Sequence, residues 1–125
     1  MKTTLVFGAS LNPNRYSYLA INKLLAKQIE TVAFGPKIGD VSGVKISSNL
    51  KDFQNIHTIT LYLNEKRQKE YYEQIIQMKP KRVIFNPGTE NVELAELLEN
   101  EIRDLPTITC LAVFSVGILM GRLLR

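Results

Sequence analysis

Thr4-Leu5-Val6-Phe7-Gly8-Ala9-Ser10-Leu11-Asn12-Pro13-Asn14-Arg15 is the stretch on which the fold turns. Its first four residues form a short apolar run stopped by Gly8, which predicts a buried strand. Beyond the loop, Asn14 is placed to cap a helix. That helix carries Tyr18, Ile21, Leu24 and Leu25 on one face and Lys23 and Lys27 elsewhere. The chain then becomes strand-like again from Thr31 to Phe34 and stops at Gly35-Pro36. Strand, helix and strand in so short a span predict a parallel pair joined by a right-handed crossover.

The same alternation continues downstream. Val41 to Ile46 is a Gly-interrupted extended piece with a weak strand signal, and Asn49 to Gln54 reads as a short helix. Ile56 to Leu63 is rich in β-branched residues and predicts a strand. Asn64 then caps a helix over Glu65 to Met78, closed by Lys79-Pro80. Arg82 to Phe85 is the next strand, and Asn91 opens a helix with Leu94, Leu97 and Leu98 on one face. Pro106 breaks the chain, and Thr107 to Ala112 reads as a last strand. The pattern predicts an α/β fold: a Rossmann-like, doubly wound parallel sheet of about five strands with helices on both faces. Ligands of such sheets bind at the carboxyl ends of the strands. The loops after Phe7, Phe34, Tyr62 and Phe85 are therefore the ones that matter.

Composition narrows the class. With 125 residues, 45% hydrophobic and 22% charged, the chain fits one domain over 1–125 and excludes a disordered, collagenous or disulfide-built protein. With a single Cys110 and a single His57, a zinc site would have to draw mostly on carboxylates, against the usual ligand set, and one thiol fits a reducing compartment. No signal-peptide pattern opens the chain. The longest apolar stretch, Cys110 to Gly121, is too short to span a bilayer, so a cytoplasmic protein without membrane contact is expected. Residues 1–62 hold seven Lys or Arg against three Asp or Glu; residues 63–125 hold nine of each. The basic surplus sits in the first half, yet no run of Lys and Arg exceeds two residues. This favours a small anionic ligand over nucleic acid.

Each loop has a functional and a plain reading. Gly8-Ala9-Ser10 with Arg15 at a helix start suits a pyrophosphate, and equally a tight turn without ligand. The fingerprints G-x-G-x-x-G and G-x-x-x-x-G-K-[ST] are both missing. After Phe34, an NAD-binding domain normally places an acidic residue; here Pro36 is followed by Lys37, which would attract a ribose phosphate of CoA or NADP or else stand as a solvated turn lysine. Tyr62 and Asn64 put an aromatic ring and an amide at a strand end. Lys66 and Arg67 read as solvated helix residues. Asn86-Pro87-Gly88 is a turn whose amide can meet a ligand carbonyl. No acid and base pair up for catalysis: His57 lies at a strand start away from these loops, Cys110 is flanked by apolar residues, and Glu65 and Glu90 suit a helix's first turn.

Taken together, four stretches in order resemble the CoA-binding-domain proteins. They are Val6-Phe7-Gly8-Ala9-Ser10, Asn12 to Ser17, Phe34-Gly35-Pro36-Lys37, and Val83 to Asn91. These proteins are small stand-alone relatives of the nucleotide-binding domain of the succinyl-CoA synthetase α subunit, and the likeness runs from about Lys2 to Leu98. The resemblance implies a Rossmann-like sheet that binds coenzyme A. It implies Gly8, Ala9 and Ser10 in the phosphate turn with Arg15 nearby, and Pro36 and Lys37 by the adenosine 3′-phosphate. Tyr62 and Asn64 would flank the adenine or ribose, and Asn86, Pro87 and Gly88 would approach the pantetheine. The C-terminal part departs from the family pattern: Asn100-Glu101-Ile102 lacks an expected glycine, and the apolar tail through Leu124 is unusual. That tail offers either a cover for the sheet or a homodimer surface.

Three functions follow as expectations. The first is binding of CoA or a short acyl-CoA without catalysis. The second is an NADP- or CoA-dependent enzyme. The third is an interaction module with a vestigial nucleotide pocket.

Overall fold

A computed structural model describes residues 2–101 and 107–109. Pro106, Cys110 and the apolar tail lie outside the described residues, and so do the expectations placed on them.

Strand β1 (Thr3–Phe7) is buried along its whole length, as an apolar strand with neighbours on both edges must be. It leads through α1 (Tyr16–Ala26) to β2 (Thr31–Phe34). The hairpin β3 (Gly39–Val41) and β4 (Val44–Ser47) follows, then a single 3-10 turn over Leu50–Asp52 and strand β5 (Ile56–Leu61). Next come α2 (Glu65–Gln68), a 3-10 turn over Lys69–Tyr71, and α3 (Tyr72–Gln77). The described chain ends with β6 (Arg82–Phe85), α4 (Val92–Glu101) and β7 (Thr107–Thr109).

The strand order is β3-β4-β2-β1-β5-β6-β7. All pairings are parallel except β3 with β4. The expected doubly wound α/β sheet is present, but it has seven strands among the described residues rather than about five. The weakly strand-like segment is the source of the difference. It folds as a tight hairpin through Ser42 (φ 52°) and Gly43 (φ 92°), the left-handed pair that suits the twist of adjoining strands. The Asp40 carboxylate accepts the Gly43 N–H at 2.8 Å and holds the turn.

Side-chain alternation divides β1 between two cores. Val6 packs with Ala20, Ile21 and Leu24 of α1 and with Ala33 and Ile46. Leu5 and Phe7 face the other way, with Ile75 of α3 and Leu94 and Leu98 of α4. On that second face Phe7 stacks on Phe34 at 4.8 Å, and Tyr71 packs edge-on against both rings, the tilted geometry aromatic rings prefer.

Two helices differ from expectation. Helix α1 starts at Tyr16, with extended Arg15 at its cap position and no side-chain cap bond. Asn14 does not cap it, because its N–H is drawn to Asn12 Oδ1 at 2.9 Å in the preceding turn. The single helix expected over Glu65 to Met78 is divided into α2, a 3-10 turn and α3; Gln68 and Lys69 keep helical backbone angles, and the departure falls at Tyr71, with φ −120° and ψ 7°. Asn64 and Asn91 cap as expected, accepting from the N–H of Arg67 and of Leu94, each at 3.0 Å.

Register aligns the loops. Phe7 pairs with Phe34 and with Leu61, and Leu61 pairs with Phe85. Four strands thus end on one row, and the chain splits from β1 toward β2 on one side and β5 on the other. That split is the switch point of such sheets, where the loops part to leave a crevice.

His57 stands at the opposite end of the strands, as the second residue of β5. Burial pushes its pKa below the ordinary 6.5, and the positive charges of Lys2, Arg82 and Lys81 push it further the same way. Its Nδ1 lies 2.8 Å from Thr58 Oγ1. The unfolded chain therefore binds the proton more readily, so stability contributed here is full above pH 6.5 and is lost as the pH falls toward the folded value. As the only histidine, it gives one imidazole signal in a proton NMR titration. That signal is expected to titrate below pH 6.5; a midpoint at or above 6.5 would refute the assignment.

Candidate functional site

A cavity of about 710 Å³ opens over the aligned strand ends, within the range of small-molecule sites. One wall is the turn after β1 and the start of α1; Pro36 and Lys37 close one end. Tyr62 to Asn64, Arg67 and the turn Pro87-Gly88-Thr89 form the other. A smaller cavity of about 390 Å³ lies between the 3-10 turn after β4 and α3, where carboxamides and apolar groups surround one cation, Lys51.

The turn after β1 is held tightly. Gly8 and Ala9 both donate their N–H to Phe34 O, at 2.8 and 2.7 Å. Those two donors are committed to the neighbouring strand, so the turn meets the cavity with other groups. Ser10 Oγ accepts the Asn12 N–H at 3.1 Å and keeps its own proton to donate. The first N–H groups of α1, on Tyr16 and Ser17, have no carbonyl a turn behind them. Tyr16 and Ser17 both line the cavity, at the positive end of the helix dipole. Gly8 has a positive φ of 103°, and a Cβ there would lie 3.0 Å from the Leu63 side chain. Glycine thus serves both the turn and the packing of the loop after β5.

The site's charge is one-sided. Arg15, Lys37 and Arg67 line the cavity from three different elements, and no Asp, Glu, His or Cys lines it among the described residues. The arrangement can hold an extended polyanion but offers no paired acid and base. Among the described residues no cluster of three His, Cys, Asp or Glu could hold a metal, and no helix is long and apolar enough to cross a membrane.

Gly8, Ala9, Ser10, Arg15, Pro36, Lys37, Tyr62, Asn64, Pro87 and Gly88 all line the cavity. Asn86 does not. It follows Phe85, which faces α3 and α4, so alternation turns Asn86 toward the opposite face. There its Nδ2 donates to Thr60 Oγ1 at 2.7 Å and to Leu61 O at 2.9 Å. Its own carbonyl accepts the N–H and the hydroxyl of Thr89, at 2.9 and 2.7 Å. Asn86, 1% exposed, braces the turn from beneath. Tyr62 is half-buried with its ring against the α1-side core, and its hydroxyl oxygen is buried rather than in water.

The sequence profile of the CoA binding domain matches residues 2–115. The chain belongs to the CoA binding domain family. No curated protein matches it at a comparable level. Among solved structures, an uncharacterized protein 36% identical is similar over 100% of this chain and 98% of its own, with a TM-score of 0.87. A conserved hypothetical protein from Pyrococcus furiosus, 19% identical, shares the fold over 95% of this chain and 99% of its own, with a TM-score of 0.78. Acetyl-coenzyme A synthetase 1 of Ca. Korarchaeum cryptofilum, solved with phosphate and ADP, contains the same fold. It is 15% identical over 91% of this chain and 26% of its own, with a TM-score of 0.70.

In this member of the CoA binding domain family, sequence reading passed over several cavity residues. Arg67 reads from the sequence as a solvated helix residue, but it lines the cavity from the first turn of α2. Ser17 is 3% exposed yet lines the cavity. Its place as the second residue of α1 becomes a signal only once the helix start is known. Leu11 and Tyr16, both largely exposed, add apolar surface to the rim.

Proposed function

We propose that this chain, as one domain over residues 1–125, binds coenzyme A or a short acyl-CoA across the strand ends without catalysing a reaction on it. The carrying observation is the convergence of Arg15, Lys37 and Arg67 on one cavity that no acidic residue lines among the described residues. Coenzyme A suits this layout because its anionic groups are spread along its length. The pyrophosphate would lie at the start of α1, on the free N–H groups of Tyr16 and Ser17, the Ser10 hydroxyl and Arg15. Gly8 and Ala9 would shape that turn rather than donate to it. Lys37, beside Pro36, would meet the 3′-phosphate. The adenine or ribose would take the Tyr62 and Asn64 edge, and the pantetheine would run toward Pro87 and Gly88. Asn86 would act by holding that turn. A cytoplasmic setting fits the lone cysteine of the sequence.

Calorimetric titration with CoA, dephospho-CoA and NADP side by side tests the reading. CoA is expected to bind most tightly, dephospho-CoA more weakly and NADP most weakly of the three. NADP binding above CoA would favour an oxidoreductase, and no heat with any ligand would overturn the assignment.

A further inference from the structure

The two loops that form the far wall of the cavity are tied together by one side-chain amide. Gln68, the last residue of α2, is fully buried. Its Nε2 donates to Leu63 O in the loop after β5 and to Thr89 O in the turn after β6, each at 2.8 Å. Its Oε1 accepts from Asn91 Nδ2 at 2.9 Å. Asn91, 4% exposed, also donates to Tyr72 Oη at 2.7 Å and caps α4 through Oδ1. Leu63 and Thr89 line the cavity, whereas Gln68 and Asn91 do not.

We infer that Gln68 and Asn91 are positioning residues that set the spacing of the two far-wall loops and thereby the affinity for the neutral arm of the ligand, without touching it. This inference rests on the proposed CoA reading. Hydrogen bonds in a dry network are strong and directional, and an amide nitrogen with one carbonyl from each loop leaves little freedom in their separation. A wall fixed before the ligand arrives spares the ordering cost of closing on it. The nucleotide end would meet only one of the two tied loops, through Tyr62 and Asn64, whereas only a ligand with the arm would span both, and the phosphates stand outside the tie. The start of α1 and Lys37 are held by β1 and β2, through the Gly8 and Ala9 bonds to Phe34 O.

That difference in span supplies the test, since the spacing of two loops matters to a ligand that reaches both. Adenosine 3′,5′-bisphosphate carries the nucleotide end of CoA and lacks the pantetheine. Gln68→Met keeps the length of the side chain and removes its hydrogen bonds. In calorimetry the variant is expected to bind CoA about tenfold more weakly while its affinity for adenosine 3′,5′-bisphosphate stays within about twofold. A general loosening of the protein would weaken both. Equal loss of both ligands, or no loss of either, overturns the positioning role. Should Gln68→Met fail to fold by circular dichroism, Asn91→Ser serves instead. It keeps a cap acceptor for α4, removes the donor to Gln68 and Tyr72, and is judged by the same two affinities. If the unmodified protein binds both ligands equally, the arm is not read and this inference fails while the CoA reading stands. If it binds neither, the CoA reading fails and takes this inference with it.

Discussion

Gly35→Ala is expected to destabilise the protein by about 3 kcal/mol or more and to abolish ligand binding. A Cβ at this position would lie 2.3 Å from the carbonyl oxygen of Ala9 and 3.1 Å from the Ile46 side chain. The first distance is far inside van der Waals contact, and the obstacle is backbone, which cannot rotate away as a side chain can. Neither partner is free to retreat. Ala9 is bound through its N–H to Phe34 O at 2.7 Å, and Gly35 donates its own N–H to Ser47 O at 3.1 Å. Relief requires parting the turn after β1 from the end of β2, which moves Ser10 and the start of α1 relative to Lys37. Stability and binding should therefore fail together. Gly43→Ala is the control: its φ of 92° disfavours alanine, but a Cβ there meets nothing within 4 Å, and about 1 kcal/mol is expected. Urea unfolding of both variants, with a CoA titration of each, checks the contrast. A Gly35→Ala protein within about 0.5 kcal/mol of the parent would show that the two loops part easily.

Reversing the charge at the other end of the cavity should have the largest effect on affinity alone. Lys37→Glu is expected to weaken CoA on the order of a hundredfold, and dephospho-CoA only severalfold. Lys37 is exposed and lies at the end of the cavity beside Pro36, so the substitution leaves the fold intact. It replaces attraction for a doubly charged phosphate with repulsion at close range. The pyrophosphate, farther along, feels only a screened remainder. Raising salt should shrink both losses, since the site is open to solvent. Equal loss for the two ligands would remove Lys37 from the 3′-phosphate, and unchanged CoA binding would place the nucleotide elsewhere.

The order of strands and helices and the identity of the four loops were legible in the sequence. Apolar runs broken by Gly or Pro, and leucines at helical spacing, are local signals that need no partner to be read. Lys37 was legible for a related reason. A cation where an acidic residue is usual stands out within a few residues of the strand end. Asn64 and Asn91 could be assigned as caps because capping is satisfied within a single turn.

What stayed hidden depended on neighbours distant in sequence. Asn86 carries the amide expected of a ligand contact; its nitrogen is taken by Thr60 and Leu61 on the adjacent strand, while its buried side-chain carbonyl oxygen has no partner among the described residues. The helix expected from Glu65 to Met78 has no Gly or Pro to break it, yet its backbone leaves helical angles at Tyr71, whose ring packs against Phe7 and Phe34 of two distant strands. The commitment of the Gly8 and Ala9 N–H groups to Phe34 O follows from the register of β1 on β2. The sequence alone therefore determined which segments form strands and helices, which strand ends carry the loops that matter, and the chemical character of those loops. The tertiary structure alone decided which donors in those loops remain free, which amides serve the scaffold, and how three cations come to share one cavity. The physical reason is that hydrogen-bond saturation and cavity shape belong to pairs of segments, and the pairing exists only once the sheet has formed.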